Sequence, residues 1–133
     1  MLRLVDEAVE QYCLNHTTPE TDLYEELRKE TYASMEIPQM LAGQLVGSFL
    51  QVLIRSSQAK RIVEVGTFTG YSTLKMAEAL GEEGHIDTFE YEDKHADFAQ
   101  RYFDKSPWGN KIKIHRGAAL DNLSNVMGPI DMS

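Results

Sequence analysis

Two glycines, two acidic residues and a serine stand where a small molecule could be held. Between Lys60 and Leu80 the chain reads KRIVEVGTFTGYSTLKMAEAL. Ile62, Val63 and Val65 form a β-branched run suited to a buried parallel strand. The run stops at Gly66, and Gly70 follows after Thr67, Phe68 and Thr69. Beyond Ser72 the apolar Leu74, Ala77 and Leu80 recur at helical spacing, with Gly81 placed to end the helix. Strand, glycine turn and helix make a cradle, because the first helical turn has N–H groups without intrahelical partners and glycines let a ligand approach them. The G-x-x-x-G spacing lacks both the G-x-G-x-x-G dinucleotide fingerprint and the Lys-Ser/Thr ending of a P-loop, which disfavours a ligand with a bulky pyrophosphate.

In an open parallel sheet, ligands bind beyond the carboxyl ends of the strands, where the strand order reverses. Gly66 to Ser72 follows the first strand, Glu90 and Tyr91 end a second (His85 to Tyr91), and Gly117, Ala118 and Ala119 follow a third (Lys111 to Arg116). All three stretches can converge on one crevice. An acid at the end of the second strand can accept both hydroxyls of a ribose, which assigns that role to Glu90. Ala118 and Ala119 leave space for an adenine ring. Glu64, inside the first strand, is costly there unless paired. It either meets a ligand's ammonium or orients the glycine loop through backbone N–H groups, or it forms a buried salt bridge with Lys60 or Arg61. The four histidines, His16, His85, His95 and His115, lack zinc-site spacing. Ser72 lacks a nucleophile elbow, so hydrolase chemistry has little support.

These groups need elements to position them. With 133 residues, 42% hydrophobic and 26% charged, the chain fits a single domain of ordinary globular composition. No apolar run approaches the roughly 20 residues that span a bilayer. The N-terminal stretch MLRLVDEAVEQYC has acids in its first turns and no h-region, and Cys13 is the single cysteine, which together point to the cytoplasm. A net charge of −8 with scattered Lys and Arg gives no footprint for nucleic acid. Residues 1–35 hold two helices: Leu4 to Tyr12, with Val5, Ala8, Val9 and Tyr12 on one face, and a second capped near Thr18 to Asp22 and running through Leu23, Leu27 and Thr31. Residues 36–133 hold the βα units. A third helix starts at Glu36-Ile37-Pro38, with an apolar stripe of Leu41, Leu45, Phe49, Val52 and Leu53 and with Gly43 and Gly47 leaving room for packing or a ligand. Asp93 caps a helix to Lys105 with Ala96, Ala99, Tyr102 and Phe103 inward, and a short helix runs from Leu120 through Leu123. Strands alternating with helices predict an α/β, Rossmann-like doubly wound parallel sheet, incomplete because the fourth strand has only begun at Ile130 to Ser133.

The strings VEVGTFTGYSTLKMAEAL, MLAGQLVGSFL, GHIDTFEYED and KIKIHRGAAL together resemble the metal-dependent, S-adenosylmethionine-using O-methyltransferases of the caffeoyl-CoA and catechol type, particularly small bacterial members. The similarity runs from about Leu23 to Asp131. It implies that Glu64, Gly66, Thr67, Gly70, Tyr71 and Ser72 line the methionine end of S-adenosylmethionine. By the same resemblance Glu90, with Tyr91 and Gly117 beside it, takes the ribose, Ala118 and Ala119 border the adenine, and Phe68 covers the cofactor's other face. Met40 and Ala42 match the family segment that touches the cofactor from upstream. Ala42 stands where a larger residue is usual, so backbone atoms make that contact. The family holds a divalent metal, usually magnesium, on aspartates and an asparagine that begin in an F-I-D-A-D-K stretch. Here Asp131 matches the aspartate that opens that strand rather than a ligand, so neither catalytic nor metal residues are assigned, and the 133 residues alone are expected to be inactive. The implied substrate is a small aromatic hydroxyl compound, and the implied assembly a homodimer. A non-catalytic self-associating module and an NAD-type oxidoreductase domain are the competing readings.

Overall fold

The computed structural model describes residues 4–133, so residues 1–3 of the N-terminal portion lie outside the described residues. Its centre is a three-stranded parallel sheet in the order β1-β2-β3, built from β1 (Arg61–Val65), β2 (His85–Glu90) and β3 (Ile112–Arg116). The register sets Ile62 against Ile86 and Ile86 against Ile112, so the β-branched side chains stack across all three strands on one face. Beyond the other edge of β1 a parallel bridge joins Ile62 to Met132, and the Val63 N–H donates to the Met132 carbonyl at 2.9 Å. Asp131 anchors this segment: its Oδ2 accepts the Lys60 and Arg61 N–H groups at 2.8 and 2.9 Å. The chain therefore crosses from β3 back to the far side of β1, and the reversal of strand order falls at β1, as the doubly wound reading requires.

Six α-helices accompany the sheet: α1 (Glu7–Asn15), α2 (Asp22–Ser34), α3 (Gln44–Ser57), α4 (Tyr71–Ala79), α5 (Asp93–Lys105) and α6 (Ala119–Asn122). Two buried clusters hold them. Ile54, Met76, Ala77 and Leu80 close over Ile62 and Ile86. Tyr24, Leu27, Tyr71, Leu74, Phe98, Ala99, Tyr102 and Phe103 tie α2 to α4 and α5. The inward residues expected of α5 are all buried.

Four sequence expectations need correction. The third helix does not start at Glu36: Pro38–Met40 is one 3₁₀ turn, Leu41 is extended, and α3 begins only after Gly43. Pro38 sits at the first position of that short turn, where its missing N–H costs nothing. The inward face of α3 is Gly47, Gln51 and Ile54, whereas Phe49, Val52 and Leu53 of the expected stripe are exposed. A Cβ on Gly47 would lie 2.8 Å from Cγ of Lys75, so the buried lysine stem takes the space that an apolar stripe would have filled. The first helix begins at Glu7 rather than Leu4, so Val5 lies before it, and Val5, Val9 and Tyr12 are likewise exposed. Asp93 does not cap α5; Glu92 occupies that position without a side-chain bond, and Asp93 pairs with Arg116 at 3.0 Å.

Candidate cofactor site

The β1–α4 turn owes its shape to three residues with positive φ: Gly66 at 95°, Phe68 at 50° and Gly70 at 87°. Gly70 is fixed twice over, since a Cβ there would also come 2.6 Å from the Phe103 ring. Gly66 is different. A Cβ there would meet nothing within 4 Å, so glycine serves the backbone bend and leaves open space above it. The Gly66 and Thr67 N–H groups turn inward to the Phe89 carbonyl at 2.9 and 3.2 Å, which clamps the turn onto β2. From the N-terminal side, the Thr31 hydroxyl of α2 reaches the Leu27 carbonyl and Thr69 Oγ1 at 2.8 and 3.0 Å, pinning the loop from beneath.

Glu64 forms neither of the salt bridges open to it in the sequence, because Lys60 pairs with Glu83 and Arg61 with Asp87. Its donors are three hydroxyls. Ser72 Oγ reaches Oε1 at 2.5 Å, and Thr73 and Thr88 reach Oε2 at 2.5 and 2.7 Å. Thr88 has spent its proton on Glu64, so Thr67, 2.6 Å from it, is the donor in that pair. Burial raises the Glu64 carboxyl above its ordinary 4.5; the three hydroxyl bonds pull the other way, and nearby Glu90 adds to the rise. A carboxylate with about four lone-pair directions and three neutral donors retains one acceptor site and no cation among its donors.

Glu90 is buried at the end of β2. Its Oε2 accepts the Phe68 N–H at 2.7 Å and its Oε1 the Glu92 N–H at 2.9 Å. The first of these bonds holds Phe68 in its left-handed conformation, which otherwise costs about 1 kcal/mol or more. Gly117, with φ of 103°, donates its N–H to the Glu90 carbonyl at 2.9 Å, bringing the third stretch directly against the second. Ala118 precedes α6 and Ala119 begins it, and the Ala118 carbonyl is held by Asn122 Nδ2 at 3.0 Å. Tyr91 is exposed beside them.

Two cavities meet at Phe68 and Met40. The smaller, about 70 Å³, is lined by Met40 to Ala42, Gly66 to Thr69, Tyr71 and Ser72, and Gly70, expected among the cofactor residues, is not in its wall. The larger, about 360 Å³, lies between the 35–40 linker and the start of α5. The non-helical linker explains this placement: a helix from Glu36 onward would have carried Met40 and Ala42 along its own axis instead of over the glycine turn. Tyr71 lines the small cavity, but its hydroxyl turns the other way and donates to Glu20. Glu20 also binds Arg28 at 2.6 Å and Lys75 at 3.4 Å, and Lys75 Nζ sits 4.7 Å from the Tyr24 ring centroid. Burial pushes the Tyr71 phenol upward, with Glu20 adding to it, so the phenol stays protonated. This buried network was missed in the sequence. Its one signal was Lys75 on the face of α4 shared by Leu74 and Ala77, opposite a glycine on α3.

A parallel sheet with reversal at β1, a glycine turn under open space, and acids at the end of β1 and β2 define a Rossmann-like fold. A family model described as O-methyltransferase matches residues 14–129, and the chain belongs to that family. It is 39% identical over 104 residues to a catechol O-methyltransferase of Niastella koreensis, covering 75% of this chain and 47% of that protein. A catechol O-methyltransferase of Mycobacterium tuberculosis is 34% identical over 98 residues, covering 73% and 44%. The chain thus spans about half the length of the curated relatives it matches. Among solved structures, the O-methyltransferase TomG of Streptomyces achromogenes, in complex with SAM, superposes with a TM-score of 0.87 at 29% identity over 94% of this chain and 57% of that one. An O-methyltransferase of Bacillus cereus, in complex with SAH, gives 0.86 at 30% identity, covering 95% and 60%.

Proposed function

We propose that the chain is the cofactor-binding portion of an S-adenosylmethionine-dependent O-methyltransferase acting on a catechol-like or related small aromatic hydroxyl compound. The carrying observation is Glu64: a carboxylate held by three neutral hydroxyls, lifted in pKa and lacking a cation, beside a glycine turn with open space above it. That is the arrangement an amino acid's ammonium completes. S-adenosylmethionine, when bound, supplies an electrophilic methyl group on a sulfonium. Toward it, Glu64 with Ser72 and Gly66 would hold the amino-acid end, Met40, Ala42, Thr67 and Phe68 would enclose the centre, and Glu90 would accept the ribose hydroxyls. Gly117, Ala118, Ala119 and Tyr91 would flank the adenine. The buried Glu20–Tyr71–Lys75 network and Gly70 keep the first turn of α4 in place.

Metal assistance belongs to this reading of the whole enzyme, with magnesium as the ion. Among the described residues no group of three His, Cys, Asp or Glu side chains is placed to hold a metal ion. The 133 residues alone are expected to bind cofactor weakly and not to turn over a catechol. Cytoplasmic location and a homodimer complete the reading. Support for the dimer is the exposed apolar set Val46, Phe49 and Val52 on α3 with Val9 and Tyr12 on α1. Among the described residues no helix is long and apolar enough to cross a membrane.

Calorimetric titration with S-adenosylmethionine and, separately, with NAD tests the assignment. Binding of the first and not the second is expected; binding of NAD alone would overturn it. Metal-dependent catechol methylation by these 133 residues would overturn the expectation of inactivity.

A further inference from the structure

His95, the third residue of α5, was set aside in the sequence as one of four histidines without metal spacing. Its Nδ1 lies 3.5 Å from Oε1 of Glu90, with the side chain 26% exposed. Its ring meets Phe68 edge-on, centroids 4.9 Å apart at 85°. One side chain therefore touches both the acid that would take the ribose and the aromatic ring that separates the two cavities. Glu90 already accepts two backbone N–H groups, leaving about two lone-pair directions. A bare imidazole nitrogen facing a carboxylate oxygen would repel it, so the nitrogen turned toward Glu90 must carry the proton. Neutral imidazole in water has no such constraint, and the hydrogen-bonding partner decides the tautomer. At 3.5 Å the contact is electrostatic and orienting rather than a full hydrogen bond.

We propose that His95 is a positioning residue for recognition of the cofactor's ribose: its Nδ1–H steers the Glu90 carboxylate while its ring props Phe68, so that Glu90 presents its remaining lone pairs to a vicinal diol. The proposal rests on the assignment of Glu90 to the ribose. It separates His95 from a mere packing residue, because a spacer would support Phe68 equally well without a proton at Nδ1 and would be blind to the sugar hydroxyls.

The test combines ¹⁵N NMR of the histidine ring in the 133-residue chain with calorimetric titration of wild type, His95→Phe and His95→Asn. The probes are S-adenosylhomocysteine and its 2′-deoxyribose analogue. The expected tautomer in the free chain is Nδ1–H. His95→Phe should weaken S-adenosylhomocysteine by about three- to tenfold, the range of one modest polar contact, and should hardly change binding of the deoxy analogue. His95→Asn, which keeps an N–H donor, should restore most of the loss. The Nε2–H tautomer with a bare Nδ1 in the free chain overturns the proposal even if a variant fails to fold, and so does undiminished sugar discrimination in His95→Phe. If wild type shows the Nδ1–H tautomer but binds neither probe, the ribose assignment of Glu90 has failed, and the proposal falls with it.

Discussion

Glu64 and Asp87 lie on adjacent strands of one sheet and point to opposite faces, Asp87 buried and Glu64 partly so, and their surroundings differ in kind. Glu64 is met only by hydroxyls. Asp87 is met by the Arg61 guanidinium at 3.4 Å and by two imidazoles, His115 Nε2 at 2.7 Å and His85 at 3.5 Å, with His115 stacked on Phe89 at 4.6 Å. Burial pushes the Asp87 carboxyl upward too, but the hydrogen bond from His115 and the charges of His85 and His115 outweigh it and hold the carboxyl below its ordinary 3.8. Glu64 stays above 4.5. A buried acid that the fold has already neutralised is structural, whereas one held by neutral donors stores an unmet demand for positive charge. In the proposed reading the second kind marks the cofactor's binding site, beside the glycine turn.

The sharpest break in this contrast is Glu64→Gln, which removes the charge but keeps the volume. Affinity for S-adenosylhomocysteine should fall at least about 100-fold, near 3 kcal/mol, while the stability of the ligand-free chain changes by less than about 1 kcal/mol. Calorimetry and urea unfolding read the two quantities. Asp87→Asn should do the reverse: about 2 kcal/mol lost in urea unfolding because His115 and Arg61 lose their shared acceptor, with cofactor affinity of the folded chain retained.

The pH dependence separates the two acids by sign. The native pKa of Asp87 lies below its unfolded value, so its stabilisation is present above pH 3.8 and disappears as pH falls through the native value. For Glu64 the native state binds the proton more tightly, so its contribution is greatest in acid and declines as pH rises from 4.5 through the native value. Melting curves of wild type against Glu64→Gln should show that decline only in wild type, and saturating S-adenosylhomocysteine should flatten it. The smallest effect is expected of Thr73→Val, which deletes one hydroxyl donor: about 1 kcal/mol of stability at pH 7 and less at pH 4, where Glu64 is protonated.

Much of this was visible in the sequence because it is local. The strand, the glycine turn and α4 follow one another in 21 residues, from Lys60 to Leu80, with Gly66 and Gly70 bounding the turn, although α4 ends at Ala79 with Leu80 extended and Gly81 does not cap it. Glu90 and Gly117 could be placed from the rule that parallel strands gather their carboxyl ends, and the register brings them together. What could not be read was non-local. Glu64 finds Thr88 only through the pairing of β1 with β2, and no periodicity reveals that its partners are hydroxyls rather than Lys60 or Arg61. The face of α3 was misjudged because Gly47 yields to the stem of Lys75, whose ammonium is in turn claimed by Glu20, 55 positions earlier. Apolar spacing identifies a stripe, but a buried ion network can claim the opposite face.

The most direct measurement is the ¹³C carboxyl titration of Glu64 by NMR, free and saturated with S-adenosylhomocysteine. A cofactor ammonium received by Glu64 predicts a pKa above 4.5 in the free chain and below it in the complex. A Glu64 titration that does not move on binding would contradict the assignment of this carboxylate as the cofactor's anchor.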